Sequence, residues 1–171
     1  MFKSTAQLAL IISLLLLLSA CKSTYLTQSQ ASSPYHEFIK AGDSLPIKTI
    51  TRLDGEELDF QNLGKKQVVI LFATWCSDSN RLLKALNSSP LLDDKSIEVI
   101  AIAREESSDT VKAWRDARNI KVPLAVDVDR SIYKQFASGG IPRIITVGEN
   151  NKIIAMNLAE GSDQLKHIVW Q

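Results

Sequence analysis

Cysteine is scarce in this chain of 171 residues, with Cys21 and Cys76 the only two. Three residues after Cys76, where a second cysteine would complete a CxxC pair, stands Ser79. That absence excludes release of a mixed disulfide from the CxxC resolving position, because a hydroxyl is far too weakly acidic to displace a thiol. Long apolar runs are lacking too. The stretch Leu8 to Ala20 has 13 residues, short of the ~20 that a membrane-spanning helix needs. Nor is there an excess of either charge. Without residues 1–20, whose one charged side chain is Lys3, 19 basic and 19 acidic residues remain, which argues against a nucleic-acid partner. Histidine occurs twice, as His36 and His167, and neither has identifiable metal-ligating companions, so no metal site is expected. Asp127 and Asp129 lack the glycine and glutamate of a calcium loop. No phosphate loop or dinucleotide fingerprint is present, and no cofactor is implied.

At the N-terminus, Lys3, the apolar run and the small residues Ser19-Ala20 read as a secretory signal over residues 1–20. Leu18-Ser19-Ala20-Cys21 resembles the lipobox of bacterial lipoproteins, in which the cysteine is acylated and the preceding peptide removed. An ordinary signal peptide or an uncleaved anchor is the alternative. If the lipobox holds, Cys21 carries lipid, the chain is anchored in the cell envelope, and Cys76 is the one remaining thiol. By resemblance to lipoprotein sorting, Lys22 then suggests an outer membrane, facing the periplasm, in a diderm. Residues 21–44, rich in Ser, Thr and Gln, read as the lipidated cysteine and a flexible tether. Residues 45–171 are left as one domain large enough for its own core.

Cys76 lies in the run Val-Val-Ile-Leu-Phe-Ala-Thr-Trp-Cys-Ser-Asp-Ser, residues 68–79. The near-continuous apolar stretch from Gln67 to Thr74 fits a strand buried on both faces. A helix over Ser77–Asn87 follows, with Leu82, Leu83 and Leu86 at helical spacing. A thiol at a helix N-terminus sits beside unpaired N–H groups and the positive end of the dipole, which favour the thiolate. Ser77 and Ser79 are expected to donate hydrogen bonds towards the sulfur. Asp78 opposes the thiolate and Arg81 partly offsets Asp78.

Around this unit the pattern alternates. Strands are expected at Ile47–Leu53, Glu56–Phe60, Ile97–Ala103 and Val122–Val126, and a hairpin at Arg143–Val147 and Lys152–Asn157 about Glu149-Asn150-Asn151. Helices are expected from the Ser107-Ser108-Asp109 cap to Arg118, over Asp129–Phe136, and after a Ser162-Asp163 cap with Leu165, Ile168 and Val169 facing inward. Trp114 and Trp170 read as packing residues, and Glu105-Glu106 as a solvated loop. The sum is an α/β fold with a mixed central sheet.

In order along the chain stand Gly42, Pro46, Asp54-Gly55, Leu63-Gly64-Lys65, Phe72-Ala73-Thr74-Trp75-Cys76, Val122-Pro123, Asp127-Val128-Asp129 and Gly140-Ile141-Pro142. This series, over about residues 41–170, resembles thioredoxin-like domains of the TlpA/ResA type, exported and often membrane-tethered thiol oxidoreductases. The resemblance implies a thioredoxin-like fold and a cis-proline junction at Ile141-Pro142, packed against the active-site cysteine. It also implies that the backbone of Ile141 pairs with the substrate chain, and that Trp75 is a lid over the thiol. Two positions depart from the pattern. Ser79 replaces the resolving cysteine, and Ile70 stands where thioredoxin itself carries a buried acid.

The expected partners are disulfides and thiols, of proteins or small molecules, together with the membrane through the N-terminal lipid. The workable chemistries are reversible thiolation, slow isomerisation, or holding a partner in a mixed disulfide through Cys76. A rival reading is a binding module whose groove around Trp75 and Ile141 recognises a partner without any covalent step. A third is a thiol peroxidase. A peroxiredoxin, however, needs Pro and Thr seven and three residues before its cysteine, where this chain has Val69 and Ala73.

Overall fold

The computed structural model describes residues 34–170. Seven strands, two α-helices and three 3₁₀ turns follow one another among these residues: β1 (Thr49–Thr51), β2 (Glu57–Asp59), β3 (Lys66–Phe72), α1 (Ser77–Asn87), a turn at Pro90–Leu92, β4 (Ile97–Arg104), α2 (Ser108–Arg118), β5 (Leu124–Asp127), a turn at Tyr133–Gln135, β6 (Arg143–Val147), β7 (Ile153–Leu158) and a turn at Gln164–His167. The main sheet has the order β5-β4-β3-β6-β7. β3, β4 and β5 run parallel, while β6 and β7 join antiparallel. β1 and β2 form a separate antiparallel ribbon. This is the mixed-sheet α/β fold that the alternation predicts.

Central β3 is apolar at nearly every position because both its faces are covered. Val69 and Leu71 point into one core with Ile100, Ile102, Phe60, Tyr133 and Phe136. Val68, Ile70 and Phe72 point into the other, with Leu82, Leu83, Leu86, Val111 and Trp114 from the two helices. The three leucines of α1 are fully buried, each stabilising the packed helix by about 1.5–3 kcal/mol relative to exposure. α2 starts at Ser107, whose hydroxyl accepts the Thr110 N–H at 3.2 Å, and ends at Asn119 in the left-handed region, φ 50°.

Three expectations need correction. The tether does not extend to residue 44. Glu37 and Ser44 form antiparallel bridges with Ala137 and Lys152, and Phe38 N–H donates to Phe136 O at 2.9 Å. Polar composition conceals this docking, because backbone pairing and one ion pair hold the segment. Second, no α-helix follows Ser162-Asp163. Asp163 has φ 54° and makes no cap, one 3₁₀ turn follows, and Val169 is exposed. The Gln164 amide fixes this segment by donating to Ala159 O and Asp78 O. Third, the Asp129–Phe136 helix shrinks to one turn, because the Asp127 carboxylate takes the Ile132 and Tyr133 N–H groups and holds the loop open. The signal segment, Cys21 and the tether to residue 33 lie outside the described residues. Among the described residues, no helix is long and apolar enough to cross a membrane.

Candidate active site

β3 ends at Phe72, and the chain turns through Ala73-Thr74-Trp75 to deliver Cys76 at the N-cap of α1, with extended φ −83° and ψ 124°. The Cys76 carbonyl accepts the Asn80 N–H at 3.0 Å and its side-chain amide at 2.7 Å. That amide also donates to Thr74 O at 2.7 Å, and Asn80 Oδ1 accepts the Trp114 indole N–H at 3.0 Å. Asn80 thus ties the turn to the helix core. The thiol is half-buried, and its Sγ lies 3.7 Å from Ile141 O, which it meets as a weak donor. The Ile141-Pro142 peptide bond is cis, and both residues are buried. Cys76, Ile141 and Pro142, far apart in sequence, therefore meet at one point.

The remaining expected site residues are arranged differently. Ser79 is fully buried, and its hydroxyl accepts the Ala73 N–H at 3.4 Å rather than donating to the sulfur. Trp75 is 67% exposed, with its ring 5.9 Å from the Arg104 guanidinium. Asp78 pairs with Arg81 and also accepts the Gly161 N–H, so it faces the last loop.

Glu106 is the residue that sequence reasoning missed most clearly. It is buried rather than solvated, and its two oxygens take the Thr74 N–H at 2.8 Å and the Thr74 hydroxyl. The parallel register pairs Phe72 with Ala103, so the residues after Arg104 lie beside the cysteine turn. An acid just past the neighbouring parallel strand was the available signal. On the same edge, Arg104 sits between the Trp75 and Tyr133 rings, and the Tyr133 hydroxyl donates to Gly140 O at 2.6 Å, next to the cis bond. Arg130 covers Tyr133 at 5.1 Å. The Ser131 hydroxyl, then its backbone N–H, hold the exposed Asp129 carboxyl below its ordinary range. Among the described residues no group of three His, Cys, Asp or Glu side chains is placed to hold a metal. Burial, then Lys166, push His167 down from the usual histidine pKa. A cleft of about 320 Å³ that includes Arg52, Lys65 and Lys121 lies at the other end of the strands and shares no residue with the thiol site.

A central mixed sheet, a thiol at the start of the helix after β3 and a cis-proline facing it together define a thioredoxin-like protein. The model of the AhpC/TSA family matches residues 41–156, and the chain belongs to that family. Among curated relatives, it is 24% identical over 153 residues to a thiol-disulfide oxidoreductase ResA of Bacillus cereus, covering 88% of each chain. It is 25% identical over 126 residues to ResA of Bacillus anthracis, covering 72% of this chain and 73% of the relative. Among solved structures, it resembles the thioredoxin domain of a thiol-disulfide oxidoreductase from Bacteroides vulgatus, with TM-score 0.63 and 20% identity, covering 75% of this chain and 94% of that one. A secreted disulfide oxidoreductase of Mycobacterium tuberculosis is similar at TM-score 0.59 and 17% identity, covering 69% and 89%.

Proposed function

We propose that this protein performs thiol–disulfide exchange through Cys76 alone, releasing its mixed disulfides to an outside thiol. The observation that carries this reading is the half-buried Cys76 sulfur at the start of α1, facing the Ile141 carbonyl, with a serine hydroxyl at the resolving position. Cys76 thiolate attacks one sulfur of a disulfide, its new S–S bond forms as the old one breaks, and the departing thiolate takes a proton from solvent. Ser79 cannot repeat that attack, so a second thiol from solution must free the protein. Ile141 offers its backbone to the substrate chain beside the cis-proline, and Trp75 is the exposed apolar wall next to the sulfur. A lipid on Cys21 would hold this chemistry in the cell envelope, facing the periplasm from the outer membrane in a diderm.

The test uses the Cys21→Ser chain, in which Cys76 is the one thiol. Bis(2-hydroxyethyl) disulfide should add one half-molecule per chain by intact mass, and a further Cys76→Ser change should abolish the adduct. Adding Ser79→Cys instead should let the protein release the adduct unaided and keep an internal disulfide. A Cys76 that never takes up the disulfide would contradict the proposal. The exposed Trp75 favours the binding-module reading as the second choice. In that case Cys76→Ala leaves partner binding intact while Trp75→Ala or Ile141→Asp removes it.

A further inference from the structure

The Arg104 side chain makes one long ion pair, to Glu105, and no hydrogen bond within the described residues, although it is only 16% exposed. A guanidinium carries five N–H donors in a flat fork that matches a carboxylate, and buried donors in folded proteins are normally satisfied. Its Nε is buried without an acceptor. The nearest carboxylate oxygen, Glu105 Oε2, is 3.5 Å from that Nε, too far for a good hydrogen bond, and it is also 3.8 Å from Arg130 Nε. Glu105 is half-exposed and divided between the two arginines. The other acids of this edge are committed elsewhere: Glu106 to Thr74, Asp127 to the N–H groups of Ile132 and Tyr133, and Asp78 to Arg81 and Gly161.

The guanidinium is fixed in place all the same. It lies 4.8 Å from the centre of the Tyr133 ring and 5.9 Å from that of Trp75, the residue bonded to Cys76. Tyr133 in turn holds Gly140 O, one residue before the Ile141 carbonyl that meets the sulfur. Arg104 is therefore a cation paired only at long range, with a half-exposed Glu105, lying against two aromatic rings on the edge that carries the thiol.

Building on single-thiol exchange at Cys76, we infer that Arg104 selects small-molecule disulfides bearing a carboxylate within a few bonds of the sulfur. The carboxylate docks on the Arg104 fork while Cys76 attacks. Cys76 thiol and RS–SR then give the Cys76–S–S–R adduct and RSH, and a second RSH returns the free thiol and RS–SR. A compact small molecule fits better than a protein chain, because little of the Arg104 side chain reaches the surface and the missing resolving cysteine already demands a diffusible thiol.

The experiment compares two disulfides of similar length on the Cys21→Ser chain, followed by intact mass: 3,3′-dithiodipropionate, with two carboxylates, and neutral bis(2-hydroxyethyl) disulfide. Arg104→Gln should slow the dicarboxylate at least about tenfold, as expected for losing hydrogen bonds to a charged group. The ratio of the dicarboxylate rate to the neutral rate should fall with it, by about the same factor. Arg104→Lys should restore part of the loss, and added salt should slow only the dicarboxylate. Equal loss of both rates would assign Arg104 a structural role and overturn the inference, as would an unchanged dicarboxylate rate. If Arg104→Gln does not fold, the salt dependence of the starting protein decides, and equal dependence for the two disulfides overturns it. A Cys76 inert to both disulfides would instead defeat the exchange reading on which the inference rests.

Discussion

Two corners of this molecule each contain a buried or largely buried arginine, and they treat it in opposite ways. Where residues 35–38 cross the loop at 136–140, Arg143 is fully buried and well satisfied. Its Nε and Nη2 donate to Gly139 O at 3.2 and 2.7 Å, and its Nη1 donates to Glu37 at 2.6 Å. The Tyr35 ring lies over the same loop, so close that a Cβ on Gly139 would come within 2.5 Å of it. At the cysteine corner, the Arg104 side chain makes no hydrogen bond among the described residues and one long ion pair, the neighbouring tryptophan is exposed, and the thiol has one long contact. The first corner pairs its arginine fully within the protein. The second holds its backbone through Glu106, Asn80 and Tyr133 but leaves the Arg104 side chain without a hydrogen bond.

Removing partners at the two corners should therefore have different consequences. The largest stability effect belongs to Glu37→Ala, which strips Arg143 of the carboxylate it pairs with. We expect a loss of about 3 kcal/mol in urea unfolding, the low end for an uncompensated buried charge, because Glu37 is itself partly exposed and screened. A loss below ~1 kcal/mol would show that the Glu37–Arg143 pair contributes little and that backbone pairing alone docks the 35–38 segment. Glu106→Ala comes next, at about 1–3 kcal/mol, since it leaves the partly buried Thr74 N–H without its acceptor. Capture of a neutral disulfide by Cys76 should slow as well, because the turn that aims the sulfur loosens. The smallest effect is that of Trp75→Ala, within about 0.5 kcal/mol of the parent, as expected for an exposed side chain outside the core. Were it to cost as much as Glu37→Ala, the cysteine corner would be a structural element and the contrast would collapse.

The fold is legible because hydrophobic period and parallel alternation are written locally. β3, β4, both α-helices and the closing hairpin fall where the apolar spacing puts them. Cys76 at a helix start is equally plain, since a buried strand ending in a helical leucine pattern leaves little choice of position. The departures share one cause, which is polar side chains finding backbone or charged partners that apolar spacing does not register. Some lie a few residues away, as Asp127 with Ile132 and Tyr133, and some far off. Glu37 finds Arg143 across 106 residues and Glu106 finds Thr74 across 32, and neither pairing leaves a mark on local composition. The final segment departs through one near and one distant acceptor of a single amide. Its helix-like spacing competes with the Gln164 amide, which reaches back to Asp78 and Ala159. Nearness in sequence points the Ser79 hydroxyl at the sulfur, whereas its actual partner is the Ala73 N–H.

The most direct test of single-thiol exchange is the lifetime of the Cys76 mixed disulfide. The Cys21→Ser chain is loaded with bis(2-hydroxyethyl) disulfide, freed of excess reagent, and followed by intact mass before and after 2-mercaptoethanol is added. Exchange through Cys76 alone predicts an adduct on that residue that persists until the outside thiol arrives and is then lost completely. Failure to load, or loss of the adduct with no thiol present, would contradict it.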